Sequence, residues 1–285
     1  MIDGVGRLGF LNGEFAPLDE CRISPLDRGF IFGDAVYEVI PVHRGQPFAL
    51  ERHLDRLQQS LRKISLAAPY PMSKWRQYVE ELIEKNALSS GSVYIQITRG
   101  EAPRNHAFPE TQIPTSFAMV MHGAAPKMST APRIAAITAE DNRWGRCDIK
   151  TTALLANVLL KQSAVKQDAE EAILCRQGYV TEGSSSNVFL VKNSVVTTPP
   201  LSEHLLGGIT RQCVIELLKS CQIEFDEIEI SENSLQSADE IWITSSTRNI
   251  SAVNRLDGKL VGDGETYPLV DEMYRRFFEY DFEAS

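Results

Sequence analysis

The chain is predicted to fold as α+β, in two domains. Short β-rich runs cluster into meanders and helical runs come in groups, without the strict strand–helix alternation of a parallel α/β sheet. At 285 residues with 43% hydrophobic composition, the chain can bury one large core or two medium ones. The small, Pro-bearing and aperiodic segment His122–Pro132 reads as a linker between an N-terminal domain (1–121) and a C-terminal domain (133–285).

The N-terminal part opens with strands at Leu8–Phe10 and Glu14–Leu18, joined by Asn12-Gly13, a dipeptide that favours two-residue hairpins. Ser24–Gly29 breaks that pattern, and Val36–Ile40 is the next β-rich run, with Tyr37 and Val39 sharing one face by alternation. From Leu50 the period changes: Leu50, Leu54, Leu57, Leu61 and Ile64 make a helical stripe, off which Arg52 and Arg56 read as solvated. A second helix is expected over Ser73–Leu88 with Ser73 as its N-cap, then strands at Ser92–Thr98 and Thr115–Met121. The polar loop after Thr98 carries Arg104-Asn105-His106.

Beyond the linker, Arg133–Ala139 is a strand, and Lys150 precedes a helix carrying Leu154, Leu155, Val158, Leu159 and Val165. Short strands follow at Ala172–Cys175, Val180–Glu182, Val188–Val191 and Val195–Thr198. Gly207-Gly208-Ile209-Thr210 opens a helix reaching Ser220, Glu240–Thr244 is a buried-type strand, Asp257-Gly258 marks a hairpin, and Met273–Tyr280 forms a terminal helix.

A formal net charge of −9 argues against nucleic acid or an anionic membrane as partner, since both demand a basic patch. A small-molecule enzyme fits better. No apolar run approaches the ~20 residues of a membrane helix, and Met1-Ile2-Asp3-Gly4 lacks a basic region followed by an apolar one, so a cytoplasmic protein is expected. Cys21, Cys147, Cys175, Cys213 and Cys221 have no C-x-x-C spacing and read as reduced thiols, with no metal site. Cys147 lies close to Lys150, but a small buried residue is the plainer reading.

Lys150 stands at an element boundary among Ile149, Leu154 and Leu155, with Glu182 on a later strand. A lysine in such surroundings can form a Schiff base with an aldehyde, although a lone lysine is usually a surface residue. The Gly-Gly turn before Ile209 and Thr210 would present backbone N–H groups to an anion. Ser245-Ser246-Thr247 offers hydroxyls of the same use, and without a Walker pattern no nucleotide is implied. An ordinary N-cap and a polar loop are the bland alternatives.

Taken in order, these segments resemble the class IV pyridoxal-phosphate aminotransferases, and most of all the bacterial D-amino acid transaminases, over nearly the whole length. The resemblance is carried by Asp27-Arg28-Gly29, Phe32-Gly33-Asp34, Val36–Val39, His53–Leu57, Thr98-Arg99-Gly100, Ala102–His106, Arg143-Trp144, Arg146–Lys150, Thr181–Phe189, Gly208–Arg211 and Thr244–Thr247. It implies a smaller N-terminal α/β domain and a larger, β-barrel-like C-terminal domain. It also implies pyridoxal 5'-phosphate as cofactor and a homodimer with shared active sites. By the same resemblance Lys150 holds the cofactor and moves the substrate proton, and Glu182 binds the pyridine nitrogen. Arg56, Ile209, Thr210, Ser245 and Ser246 bind the phosphate, Leu206 stacks on the ring, and Ser185 supports the site. Tyr37, Val39, Arg104 and His106 face the substrate, the last two from a partner subunit. The implied reaction is ping-pong transfer of an amino group between D-alanine or D-glutamate-like substrates and the 2-oxo acids 2-oxoglutarate and pyruvate.

Some positions depart from related patterns. Leu155 stands where branched-chain enzymes of the class usually have tyrosine, and Ser185–Phe189 replaces their Gly-Glu-Asn-Leu-Phe-type ending. Aminodeoxychorismate lyases on this fold tend to lack the Arg-x-His loop found here. Ala35 and Thr151 replace the glycine and serine of close D-transaminases. A branched-chain L-transaminase or a lyase of that type is the alternative, and a non-catalytic binding protein the remotest one.

Overall fold

A computed structural model of the chain describes residues 7–126 and 129–280. The N-terminal tetrapeptide and residues 127 and 128 of the expected linker lie outside the described residues. The chain divides into two compact units, Met1–Pro126 with Ile149–Ala153, and Lys127–Asp148 with Leu154–Ser285. The segment containing Lys150 thus belongs with the first unit, despite its place in the sequence.

The first unit contains β1 (Leu8–Leu11), β2 (Glu14–Pro17), α1 (Arg28–Phe32), β3 (Ala35–His43), β4 (Gln46–Pro47), α2 (Leu50–Lys63), α3 (Met72–Lys85), β5 (Ser90–Thr98) and β6 (Ser116–His122). Its strands form an antiparallel sheet in the order β2-β1-β6-β5-β3-β4. Asn12 and Gly13 both take positive φ, as a two-residue hairpin of this twist requires. Alternation sets the two faces. Val36, Ile40 and Val42 of β3, with Val93, Ile95 and Ile97 of β5, are fully buried against the Leu54, Leu57 and Leu61 stripe of α2 and Trp75 and Leu82 of α3.

Three local expectations are corrected. α3 begins a residue earlier, with Pro71 at the N-cap and no side-chain cap, so Ser73 lies inside the helix. His122, assigned to the linker, is the last residue of β6, where it pairs with Gly91. Lys150 does not sit at a strand-to-helix boundary: its carbonyl accepts from Tyr37 N–H at 3.0 Å, and Thr151 bridges to Val36.

The second unit contains β7 (Arg133–Glu140), α4 (Leu155–Val165), β8 (Glu171–Arg176), β9 (Tyr179–Gly183), β10 (Asn187–Lys192), β11 (Val195–Thr198), α5 (Ile209–Ser220), β12 (Phe225–Glu227), α6 (Glu232–Gln236), β13 (Glu240–Ser245), β14 (Asn249–Leu256), β15 (Lys259–Leu260) and α7 (Pro268–Phe277). Its nine-stranded mixed sheet follows the path β12-β11-β10-β13-β14-β7-β8-β9, with β15 on β14. The serine turn after β9 brings it back against β10, with Gly183 N–H donating to Ser186 O at 2.6 Å.

The helix after Lys150 forms as expected, but most of its large apolar residues lie outside its core face. Leu155, Val158, Leu159 and Val165 are exposed, while Leu160 and Ala164 pack beneath on Ile137, Ala172 and Leu174. Among the described residues no helix is long and apolar enough to cross a membrane and no group of side chains could hold a metal. All five cysteines are free thiols.

Candidate active site

In the first unit the site is built on β3, whose alternation sends Tyr37 and Val39 to one face and Glu38 to the other. Glu38 is fully buried under α2, and it meets His53 and Arg56, three residues apart on one face of that helix. Arg56 donates from Nε to Glu38 Oε1 at 2.7 Å and from Nη2 to Oε2 at 2.8 Å, while His53 Nδ1 lies 2.8 Å from Oε2. Burial opposes the charge of Glu38, but the Arg56 guanidinium and the hydrogen bonds from Arg56 and His53 outweigh it, and the carboxyl is held well below its usual range. Burial pushes His53 down, so the ring is neutral with Nδ1–H as the donor to Glu38. Arg56 is therefore no solvated face residue; it is a buried guanidinium fixed in orientation.

On the other face Lys150 Nζ lies 4.3 Å from the centre of the Tyr37 ring, which in turn stacks on Tyr94 at 5.7 Å. Val39 is half-buried directly across from Tyr94. The Lys150 ammonium has no hydrogen bond or ion pair among the described residues. Arg104 and His106 are exposed, and their ring contacts are with Phe32, at 5.3 Å each.

In the second unit Glu182 lies buried on β9. Its Oε1 accepts from Arg143 Nη1, and its Oε2 from Leu206 N–H at 3.0 Å and Asn187 Nδ2 at 3.4 Å. Arg143 is held in turn by Asp141 through Nε and Nη2, both at 2.9 Å, and Thr181 Oγ1 donates to Asp141 Oδ2 at 2.9 Å. Burial pushes the Glu182 carboxyl up, to about 7, against the opposing pull of Arg143 and the Leu206 N–H. Asp141 goes the other way, down to about 2, because its hydrogen bonds and ion pair with Arg143 exceed its own burial cost. A carboxylate has about four lone-pair sites. The three N–H donors on Glu182 leave it room to accept one more.

Leu206 is half-buried, and its backbone both donates to Glu182 and accepts from Asn187 Nδ2 at 2.8 Å. Asn187 also explains the second glycine of the pair: a Cβ on Gly208 would meet Asn187 Oδ1 at 2.0 Å. Gly208 is the N-cap of α5 and contributes no side-chain cap, so the first-turn N–H groups of Ile209 and Thr210 remain available to an anion. Ser245 ends β13 and its Oγ accepts from Arg248 N–H at 3.3 Å, while Ser246 is half-exposed in the following turn. Ser185 is exposed and its hydroxyl donates to Glu171 Oε2 at 3.2 Å.

Sequence reasoning assigned no role to Glu38, His53, Asp141, Arg143 or Asn187. The signal for Glu38 was available: a carboxylate alternating with Val36 and Ile40 on a core-facing strand must be buried, and a buried carboxylate demands a cation.

With this geometry in view, the comparisons with known proteins define the class. The amino-transferase class IV family model matches residues 35–256, so the chain belongs to the class IV aminotransferases and is an enzyme dependent on pyridoxal phosphate. It is similar to D-alanine aminotransferase of Staphylococcus epidermidis, with 38% identity over 272 residues, covering 95% of this chain and 96% of that protein. It is also similar to D-alanine aminotransferase of Bacillus licheniformis, with 39% identity over 258 residues, covering 90% and 91%. Among solved structures, the branched-chain amino acid aminotransferase of Escherichia coli matches with a TM-score of 0.89 at 25% identity, covering 96% of this chain and 94% of that one.

The residues present fit the cofactor. In the first unit Lys150 offers an amine without an ion partner among the described residues, as an aldehyde requires; within the second unit, a buried carboxylate with one acceptor site left and an uncapped helix start suit a ring N–H and a phosphate.

Proposed function

We propose that the enzyme transfers amino groups between D-alanine or D-glutamate-like amino acids and 2-oxo acids such as 2-oxoglutarate and pyruvate. The observation that carries this reading is Lys150, an ammonium set over Tyr37 with no ion partner among the described residues, in a chain whose relatives are named D-alanine aminotransferases. Bound pyridoxal phosphate supplies an aldehyde for the lysine and a ring that withdraws electrons from the substrate Cα. Lys150 Nζ would hold it and would take the proton from the substrate Cα. Glu182 accepts a hydrogen bond from the protonated ring nitrogen, with Arg143, Leu206 N–H and Asn187 fixing the carboxylate. Arg56, Ile209, Thr210, Ser245 and Ser246 bind the phosphate. Leu206 packs on the ring and Ser185 supports the site through Glu171.

Tyr37, Arg104 and His106 hold the substrate α-carboxylate, a planar guanidinium and a phenol being suited to grip it in one orientation, and Val39 faces the substrate. The exposed Arg104–His106 loop serves the site of a partner subunit in a cytoplasmic homodimer. The exposed apolar residues Leu155, Val158 and Leu159 of α4 support such an assembly. The test compares D-alanine with L-leucine, each with 2-oxoglutarate: pyruvate from D-alanine is expected. Turnover of L-leucine alone would reverse the reading in favour of a branched-chain enzyme.

A further inference from the structure

The loop bearing Arg104 and His106 is exposed, yet it is fastened from below by two buried arginines that share one carboxylate. Asp34 Oδ2 accepts from Arg28 Nε and from Arg99 Nε, both at 2.8 Å, and Asp34 Oδ1 accepts from Arg99 Nη2 at 3.0 Å. Arg28 is 4% exposed and Arg99 1%. Arg28 spends its other donors on three consecutive loop carbonyls: Nη1 on Asn105 O at 2.5 Å and Ala107 O at 3.3 Å, and Nη2 on His106 O at 3.4 Å. It also lies 4.9 Å over the ring of Phe32, the same ring that receives Arg104 and His106.

Arg99 holds the far limb. It donates to Gln112 Oε1 at 3.2 Å, to Ser65 O at 3.2 Å and to Ile64 O at 2.8 Å, and it sits 3.7 Å over the exposed Phe108 ring. The loop's root is equally constrained: Gly100 takes φ +88, and a Cβ there would meet Ile113 O at 1.8 Å. A loop needed only as a linker has no use for a guanidinium fork spread across three of its carbonyls. Such a fork fixes where the side chains on either side of those carbonyls point, and a lysine cannot reproduce it.

We propose that Arg28, held by Asp34, is a positioning residue for the substrate carboxylate: it sets the loop backbone so that Arg104 and His106 present a preformed carboxylate grip, with Arg99 steadying the other limb. The inference rests on the reading that Arg104 and His106 bind the α-carboxylate. It implies that Arg28 affects amino acids and 2-oxo acids but not amines that lack a carboxylate.

The test uses the holoenzyme and measures single half-reactions with D-alanine and with ethylamine in wild type, Arg28→Lys, Arg104→Ala and the double variant. Arg28→Lys is expected to lower kcat/KM for D-alanine about tenfold or more, chiefly through KM. The slow ethylamine reaction and the cofactor absorbance should be unchanged. In the double variant the Arg28 effect should shrink, because Arg104 is gone and only His106 is left to position. Equal losses with both amines, or an Arg28 effect undiminished without Arg104, would overturn the proposal while leaving the carboxylate reading intact. If Arg104→Ala itself leaves D-alanine kinetics unchanged, both fall together. Should Arg28→Lys fold poorly, Phe32→Leu, which removes the ring beneath Arg104 and His106, is carried through the same cycle with the same outcomes.

Discussion

Glu38 grips Arg56 through both carboxylate oxygens, at 2.7 and 2.8 Å, with Glu38 entirely withdrawn from water. Removing the carboxylate takes the Glu38 charge away from a buried guanidinium. Glu38→Ala is expected to destabilise the cofactor-free protein by about 3–5 kcal/mol. Denaturant titration checks this, and a loss below about 1 kcal/mol, the scale of an exposed pair, would mean that water or another group takes over the charge.

The same cluster sets a pH dependence. His53 is neutral in the fold and ordinarily titrates near 6.5, so the unfolded chain binds more protons below that pH and stability is lost as pH falls. His43, also pushed down by burial, acts in the same direction, whereas Glu182, pushed up, loses stability as pH rises from 4.5 to about 7. The comparison must therefore be with a variant. His53→Gln is expected to remove about 1 kcal/mol of the stability difference between about pH 7.5 and pH 5.5, measured by urea unfolding at both.

At lower pH Asp141 dominates. Its carboxyl is depressed from 3.8 to about 2, so its stabilisation is complete above the ordinary value and is lost as pH falls through the depressed one. Asp141→Asn should cost about 2 kcal/mol at neutral pH and flatten the acid limb below about pH 4. An acid limb unchanged in the variant would count against the Asp141–Arg143 pair.

Gly208→Ala probes the entry to α5. Its Cβ would meet Asn187 Oδ1 at 2.0 Å, so Asn187 must move and with it the carboxamide that contacts Glu182 and Leu206. Overpacking of this kind costs about 1–3 kcal/mol. Pyridoxal phosphate titration should also show affinity weakened by about tenfold. Unchanged affinity would mean that the turn can shift without disturbing Glu182.

Much of this was legible in the sequence because it depends on local order. The Asn12-Gly13 hairpin, the Leu54–Leu61 stripe and the α5 start are set by residues within a turn or two of each other, and period or turn chemistry exposes them. What the sequence hid depends on long-range burial. Arg56 looked solvated because it lies off the leucine stripe, whereas Glu38 on β3 meets it in the interior. That Leu155, Val158 and Leu159 of the expected helix face outward was not legible either, because apolarity alone does not distinguish a core face from an exposed one. Lys150 was found by its neighbours and its motif, but its inclusion in the first unit arises from the Val36 bridge, which no local pattern announces.

Lys150 is expected to carry the cofactor. Purified enzyme reconstituted with pyridoxal phosphate is reduced with borohydride, digested and mapped by mass spectrometry. The expected result is loss of the yellow colour and a single phosphopyridoxyl label on the peptide containing Lys150. A label on another lysine, or a protein that takes up no cofactor, would contradict it.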